Sequence, residues 1–160
     1  MKKIVFSVAI LFCVYTAAAQ NKTANSLTYK SAFGVKLWNG GGLTLKTFLN
    51  PKTALEFTGF FRTIGSRVGV LYEIHGDLNS EGNLKWYFGP GAHVGFYRYK
   101  KNLTREFDGT YIGVDGVLGV DYKFTELPIN ISLDWQPTYE IFSGNSGYDN
   151  FGGLSIRYTF

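Results

Sequence analysis

The sequence predicts an all-β protein: a single eight-stranded antiparallel up-and-down barrel behind a cleaved signal peptide. Three observations predict it. The chain opens on a basic start, a short apolar run and a small-x-small end. Alternation of apolar and polar residues with period two then recurs eight times. Aromatic residues make up 18% of the chain, and there are 20 glycines, a composition that favours strands and tight turns over helices.

The opening is Met1-Lys2-Lys3, an apolar stretch from Ile4 to Val14, then Tyr15-Thr16-Ala17-Ala18-Ala19-Gln20. Ala17 and Ala19 occupy the positions a signal peptidase reads, so residues 1–19 are assigned to a signal peptide and 20–160 to the barrel domain. The stretch has 11 residues, broken by Ser7, and a bilayer-crossing helix needs about 20. Cys13 is the only cysteine and leaves with the signal, which excludes disulfides and thiol chemistry from the mature chain. The net charge of +4 includes Lys2 and Lys3, so the mature chain carries 4 − 2 = +2, too little for a nucleic-acid footprint.

The first strand, near 32–38, alternates Phe33, Val35 and Leu37 with Gly34 and Lys36. The second, near 43–49, sets Leu43 and Leu45 against Thr44 and Lys46. "LNPKT" turns the chain into a third strand near 54–62, with Leu55, Phe57 and Phe61 on one face and Glu56, Thr58 and Arg62 on the other. The fourth, near 67–78, opposes Val68, Val70, Tyr72 and Ile74 to Arg67, Gly69, Glu73, His75 and Asp77. "NSEGN" leads to the fifth, near 84–97, where Trp86, Phe88, Ala92, Val94 and Phe96 oppose Lys85, Gly89, Gly91, His93 and Gly95. The sixth, near 111–124, sets Ile112, Val114, Leu118, Val120, Tyr122 and Phe124 against Gly113, Asp115, Gly119, Asp121 and Lys123. After "TELP", the seventh, near 129–138, pairs Ile129, Ile131, Leu133 and Trp135 with Ser132 and Asp134. The eighth, near 152–160, carries Leu154, Ile156, Tyr158 and Phe160 against Gly153, Ser155 and Arg157. The stretches "YKKNLTREFDGT" and "EIFSGNSGYDN" read as long loops on the side opposite the compact turns. Pro90 falls inside the fifth strand, where "FGPGAHVG" predicts a bulge or kink, and Pro137 falls near the end of the seventh.

Period two does not say which face points inward. A soluble lipocalin-like barrel puts the apolar face inside and the polar face outside, and a membrane barrel does the reverse. Size favours the second. An eight-stranded barrel has room only for side chains or one small ligand, and the polar register is the one rich in glycine. That register holds seven basic residues (Lys36, Lys46, Arg62, Arg67, Lys85, Lys123, Arg157) and six acidic ones (Glu56, Glu73, Asp77, Asp115, Asp121, Asp134). Near-balance suits buried charges, which are costly unless paired. The expectation is a transmembrane β-barrel with a salt-bridged interior that includes Lys36, Lys46, Glu56, Arg62, Arg67, Glu73, His75, His93, Asp115, Asp134 and Arg157. Trp86, Tyr122, Phe124, Tyr158 and Phe160 form one expected aromatic girdle, and Phe61, Phe96, Tyr97, Tyr99, Tyr111 and Trp135 the other.

With its signal peptide, eight alternating strands and terminal "LSIRYTF", the chain resembles the small eight-stranded outer-membrane barrels of the OmpX/OmpA-transmembrane type. The resemblance is architectural and covers the whole mature chain. It implies a location in the cell outer membrane of a Gram-negative organism, among lipid and lipopolysaccharide. It also implies that Leu154, Ile156, Tyr158 and Phe160 are read by the barrel-assembly machinery, and that the protein is a monomer.

Chemistry is sparse. His75 and His93 lie on the inward register without a third ligand at fixed spacing, and no serine neighbours either one on its face. "GPGAHVG" and "GVDGVLGVD" are not followed by a helix, so they are not phosphate loops. No catalytic residue, metal or cofactor is assigned. Arg98, Lys100, Lys101 and Arg105 cluster in one loop and suit lipopolysaccharide phosphates or another anionic surface ligand. The function expected is structural or adhesive, through surface loops. A periplasmic lipocalin-like binder of an apolar ligand and an outer-membrane lipid-modifying enzyme are the alternatives.

Overall fold

The structure is a computed structural model and describes residues 29–62, 65–102, 105–142 and 147–160, with the side chains of 62, 97–102, 105–108 and 142 outside the description. Residues 1–19, expected from the sequence to be a signal peptide, lie outside the described residues. Eight strands follow in order: β1 (Ser31–Trp38), β2 (Gly40–Asn50), β3 (Thr53–Arg62), β4 (Gly65–Asp77), β5 (Leu84–Asn102), β6 (Arg105–Lys123), β7 (Ile129–Phe142) and β8 (Tyr148–Thr159). Each pairs antiparallel with the next, and β8 pairs with β1, so the sheet closes into an up-and-down barrel.

Closure extends to the last residue. Phe160 N donates to Ser31 O at 2.8 Å, and Ser31 N donates to Phe160 O at 2.8 Å. The β1–β8 seam and the first half of β8 require glycine. A Cβ on Gly34 would lie 1.9 Å from Ile156 O, and Gly152 and Gly153 have φ of 132° and 131°, which side-chain-bearing residues rarely adopt.

The connections β2–β3, β4–β5 and β6–β7, with Phe160, mark one end of the barrel, called here the turn end. There Asn50 Oδ1 accepts from Lys52 N at 3.0 Å, and Gly82 sits at φ 68°. The other four connections mark the loop end. At that end the strands run further than the alternation predicts. β5 reaches Asn102 and β6 starts at Arg105, so most of the expected loop is a two-stranded ribbon. Its register sets Arg98 opposite Asp108 and Lys100 opposite Glu106, opposite charges that favour cross-strand pairing. β7 likewise runs to Phe142 and β8 begins at Tyr148.

The prolines do not produce a bulge. Between β4 and β5 the register passes from Leu71–Gly91 to Ile74–Phe88 without a shift, and only the two pairs in between are skipped. Between β6 and β7 it passes in the same way from Asp115–Thr138 to Leu118–Trp135. Each proline interrupts the ladder on one side only. Pro90 is in register with Gly116 of β6, and Pro137 with Asn150 of β8. The register shifts occur elsewhere, at Phe48/Asn50, Lys100/Asn102 and Ile112/Gly113.

The faces separate by polarity. Phe33, Val35, Leu43, Phe57, Val68, Val114, Leu118, Leu133, Leu154 and Ile156 are exposed around the outside, while Lys36, Lys46, Glu56 and Glu73 are each 0% exposed within. A soluble barrel that carries an apolar ligand has the opposite polarity.

Candidate functional site: the charged interior

Because the side-chain period of a strand is two, a single polar residue per strand at matched register builds a ring inside the barrel. All eight strands contribute to one here: Lys36, Lys46, Glu56, Glu73, Tyr87, Asp121, Asp134 and Arg157, in order from β1 to β8. Lys36 Nζ donates to Asp134 Oδ2 at 2.7 Å and to Glu56 Oε1 at 3.3 Å. Lys46 Nζ lies 2.8 Å from Glu73 Oε2, 3.1 Å from Asp121 Oδ2 and 3.9 Å from Glu56 Oε2. Arg157 Nη2 donates to Glu56 Oε1 at 2.7 Å, while Nη1 donates to Ser132 Oγ at 2.8 Å and Asn130 Oδ1 at 3.0 Å. Its Nε donates to Thr44 Oγ1 at 3.1 Å. Tyr87 OH donates to Asp134 Oδ2 at 2.8 Å. Every one of these charges has been taken out of water, which is tolerable only because each is paired and hydrogen-bonded.

Aromatic rings floor this ring of charges at the turn end. Tyr29, just before β1, packs edge-on against Phe48 with centroids 5.1 Å apart, and its hydroxyl donates to Asp121 Oδ2 at 3.3 Å. His75 lies between Phe48 and Tyr87, at 4.8 Å and 5.1 Å, with Nε2 3.0 Å from Glu73 Oε2.

A smaller cluster lies nearer the loop end. One carboxylate, Asp115, gathers Arg67 Nη2 at 2.6 Å, Thr138 Oγ1 at 2.6 Å and His93 Nδ1 at 3.0 Å. The Arg67 guanidinium also stacks 3.7 Å over the Phe151 ring, and Phe151 meets Phe60 at 6.1 Å. Leu71 and Val117, with Tyr87, form an apolar cluster in the barrel interior. Gln136 faces the same interior from β7, its Nε2 donating to Asp134 Oδ1 at 3.0 Å.

Of the interior residues expected from the sequence, Lys36, Lys46, Glu56, Arg67, Glu73, His75, His93, Asp115, Asp134 and Arg157 are buried and face inward. The Arg62 side chain lies outside the described residues, as do those of Arg98, Lys100, Lys101 and Arg105. Asp77 and Lys85 are not in the interior network. They pair with each other at the turn-end rim at 2.6 Å, with the Asp77 side chain 59% exposed. Lys123 also turns to the rim, where its Nζ donates to Leu127 O at 2.7 Å and to Phe124 O. Tyr111 is not part of a girdle. It shares the parity of Gly113 and Asp115 on β6 and lies 5.7 Å from the His93 ring inside the barrel. His75 and His93 are paired to different carboxylates, and Ser132 is held by Arg157. Among the described residues no group of three or more His, Cys, Asp or Glu is disposed to hold a metal.

The inward aromatic and apolar residues Tyr29, Phe48, Phe60, Leu71, Tyr87, Val117 and Phe151 are not found by looking for polar ones. For those within strands, parity was the available signal: Tyr87 is two residues from Lys85, and Phe48 two from Lys46.

A closed eight-stranded sheet that is apolar outside and charged inside has the architecture of the small eight-stranded outer-membrane barrels of the OmpA/OmpX type. Among solved structures, the N-terminal β-barrel domain of Pseudomonas aeruginosa OprF is similar in fold, at 18% identity and a TM-score of 0.58, covering 81% of this chain and 94% of that domain. No protein-family model and no curated protein matches the chain.

Proposed function

We propose that the protein is an integral outer-membrane barrel, closed to solutes by its packed interior, that acts as a structural or adhesive element through its loop end. The observation that carries this reading is the band of exposed apolar side chains around a core whose charged groups are fully buried. In this reading residues 1–19 direct export and are removed. The assembly machinery reads Leu154, Ile156, Tyr158 and Phe160, whose strand is also the closing one. The barrel sits among lipid and lipopolysaccharide as a monomer without enzymatic activity.

The β5–β6 ribbon supports a display role. Its strands have 19 residues each, where about 9–11 cross a bilayer. Arg98, Lys100, Lys101 and Arg105 lie on it, and an anionic surface partner fits them.

The test is heat-modifiability of the outer-membrane fraction on SDS gels, joined to a liposome-swelling assay. The expected result is a band that shifts on boiling, because the backbone groups are paired within the barrel, and vesicles that do not swell in small sugars. Recovery as a soluble periplasmic protein with no shift overturns the membrane reading. Swelling overturns closure alone. Neutralising Lys100, Lys101 and Arg105 together is expected to weaken binding to anionic vesicles while leaving the heat shift intact.

A further inference from the structure

The ring of interior charges does not balance as drawn. It holds three cations (Lys36, Lys46, Arg157) and four carboxyls (Glu56, Glu73, Asp121, Asp134), all buried. The nearby rim charges do not make up the difference. Lys85 is paired with Asp77, and Lys123 is turned to backbone carbonyls. An uncompensated charge in such an enclosure is expensive.

The four carboxyls are served unequally. Asp134 accepts from Lys36, Tyr87 and Gln136. Asp121 accepts from Lys46, Tyr29 and Asn130. Glu56 Oε1 accepts from Lys36, Thr44 and Arg157. Among the described residues Glu73 has only Lys46 and His75, both at Oε2. One oxygen of each glutamate, Glu56 Oε2 and Glu73 Oε1, is buried with no donor. The two carboxyl groups converge on one cation, Lys46 Nζ lying 2.8 Å from Glu73 Oε2 and 3.9 Å from Glu56 Oε2. Two carboxylates cannot hydrogen-bond without a proton between them, because an ionised carboxyl only accepts.

We propose that Glu56 and Glu73 share one proton, which makes the barrel interior a single-proton binding site. Glu73 carries the proton on Oε1 and donates it to Glu56 Oε2. Oε2 of Glu73 accepts from Lys46 and from the Nε2–H of a neutral His75. Glu56 stays ionised against Arg157 and Lys36. The ring then contains three positive and three negative charges, and both orphaned oxygens are satisfied. The charged and titratable groups facing the pair are Lys36 from β1, Lys46 from β2, His75 from β4, Tyr87 from β5, Asp121 from β6, Asp134 from β7 and Arg157 from β8, together with Tyr29. Releasing the proton places a fourth negative charge among three cations. Folding is therefore linked to proton uptake, and the barrel loosens as pH rises through the release of this proton.

Infrared spectroscopy of the folded barrel in lipid vesicles tests the site directly. The expected spectrum at neutral pH contains a protonated-carboxyl stretch that is lost in Glu73→Gln. Its absence from the wild type overturns the proposal, whatever the variants do. Urea unfolding in the same vesicles tests the consequence. The amide of Glu73→Gln donates to Glu56 Oε2 in place of the proton, so this variant is expected to match the wild type in acid, where Glu73 is protonated in the folded and the unfolded chain alike, and to exceed it increasingly as pH rises toward the release pH. Between the ordinary carboxyl range and the release pH the wild-type unfolding constant is expected to rise by up to tenfold per pH unit relative to the variant, the limit for one proton, and to level off above the release pH. Glu56→Gln leaves Arg157 and Lys36 short of an anion and is expected to be less stable at every pH. Parallel pH profiles for wild type and Glu73→Gln, or equal losses in the two glutamine variants, overturn the proposal.

Discussion

The two interior clusters solve the same problem in different ways. The ring toward the turn end spreads its charges over eight strands, so that most members have several partners on different walls of the barrel. The cluster toward the loop end converges instead on one carboxylate, Asp115, which serves Arg67, His93 and Thr138. A shared network distributes the consequence of a lost contact, while a convergent one concentrates it in the hub. The exception within the ring is Arg157, which bonds Thr44, Glu56, Asn130 and Ser132 and so acts as a hub among spread charges.

Arg157→Ala is therefore expected to give the largest effect. It strands Glu56 and removes four hydrogen bonds from a site with no access to water. Breaking a buried pair in this way costs about 3–5 kcal/mol. The readout is the urea midpoint for loss of the compact, unboiled gel band in lipid vesicles. A loss under about 1 kcal/mol would mean that water or a rearranged Lys36 replaces the guanidinium, and that the ring is a more adaptable network than its distances indicate.

Asp115→Asn comes next. The amide keeps an acceptor for Thr138 but no longer offers a full charge to Arg67, whose side chain is 5% exposed. Some of the loss is recovered because Arg67 can still lie over Phe151. About 2–3 kcal/mol is expected, in the range for hydrogen bonds to charged groups. Tyr87→Phe should cost less, about 1 kcal/mol. The ring keeps its shape, and Asp134 retains Lys36 and Gln136 after losing the hydroxyl. If Tyr87→Phe costs more than Asp115→Asn, the spread network is the more brittle of the two.

How much of this is legible without coordinates follows from what sets each feature. The eight strands and the separation of faces come from period two, which is local. The inward placement of Lys36, Glu56 or Arg157 follows from parity alone. The partners do not, because pairs such as Lys36–Asp134 and Lys46–Asp121 cross the barrel and depend on register and strand tilt. Tyr111 was misplaced for a related reason: an aromatic residue near a strand end suggests a girdle, yet its parity with Asp115 puts it inside. The ribbon from Arg98 to Asp108 reads as a loop because charges are dense there, but their signs alternate across the hairpin in register. That pairing is visible only once the turn is located.

The smallest effect is expected at the rim. The Asp77–Lys85 pair, at 2.6 Å, is as short as Arg67–Asp115 and shorter than any of the four-carboxyl ring's ion pairs. Distance alone would rank it among the strongest contacts in the molecule. Burial ranks it last. The Asp77 carboxylate is 59% exposed, so water screens the pair and already solvates the group that would be left behind. Asp77→Asn is expected to shift stability by no more than about 0.5 kcal/mol, and the shift should shrink further in high salt. Arg157→Ala, by contrast, should be nearly insensitive to salt, because ions do not reach its site. A salt-independent loss at Asp77 comparable to that at Asp115 would break the comparison, since exposure would then not be what separates these charge pairs.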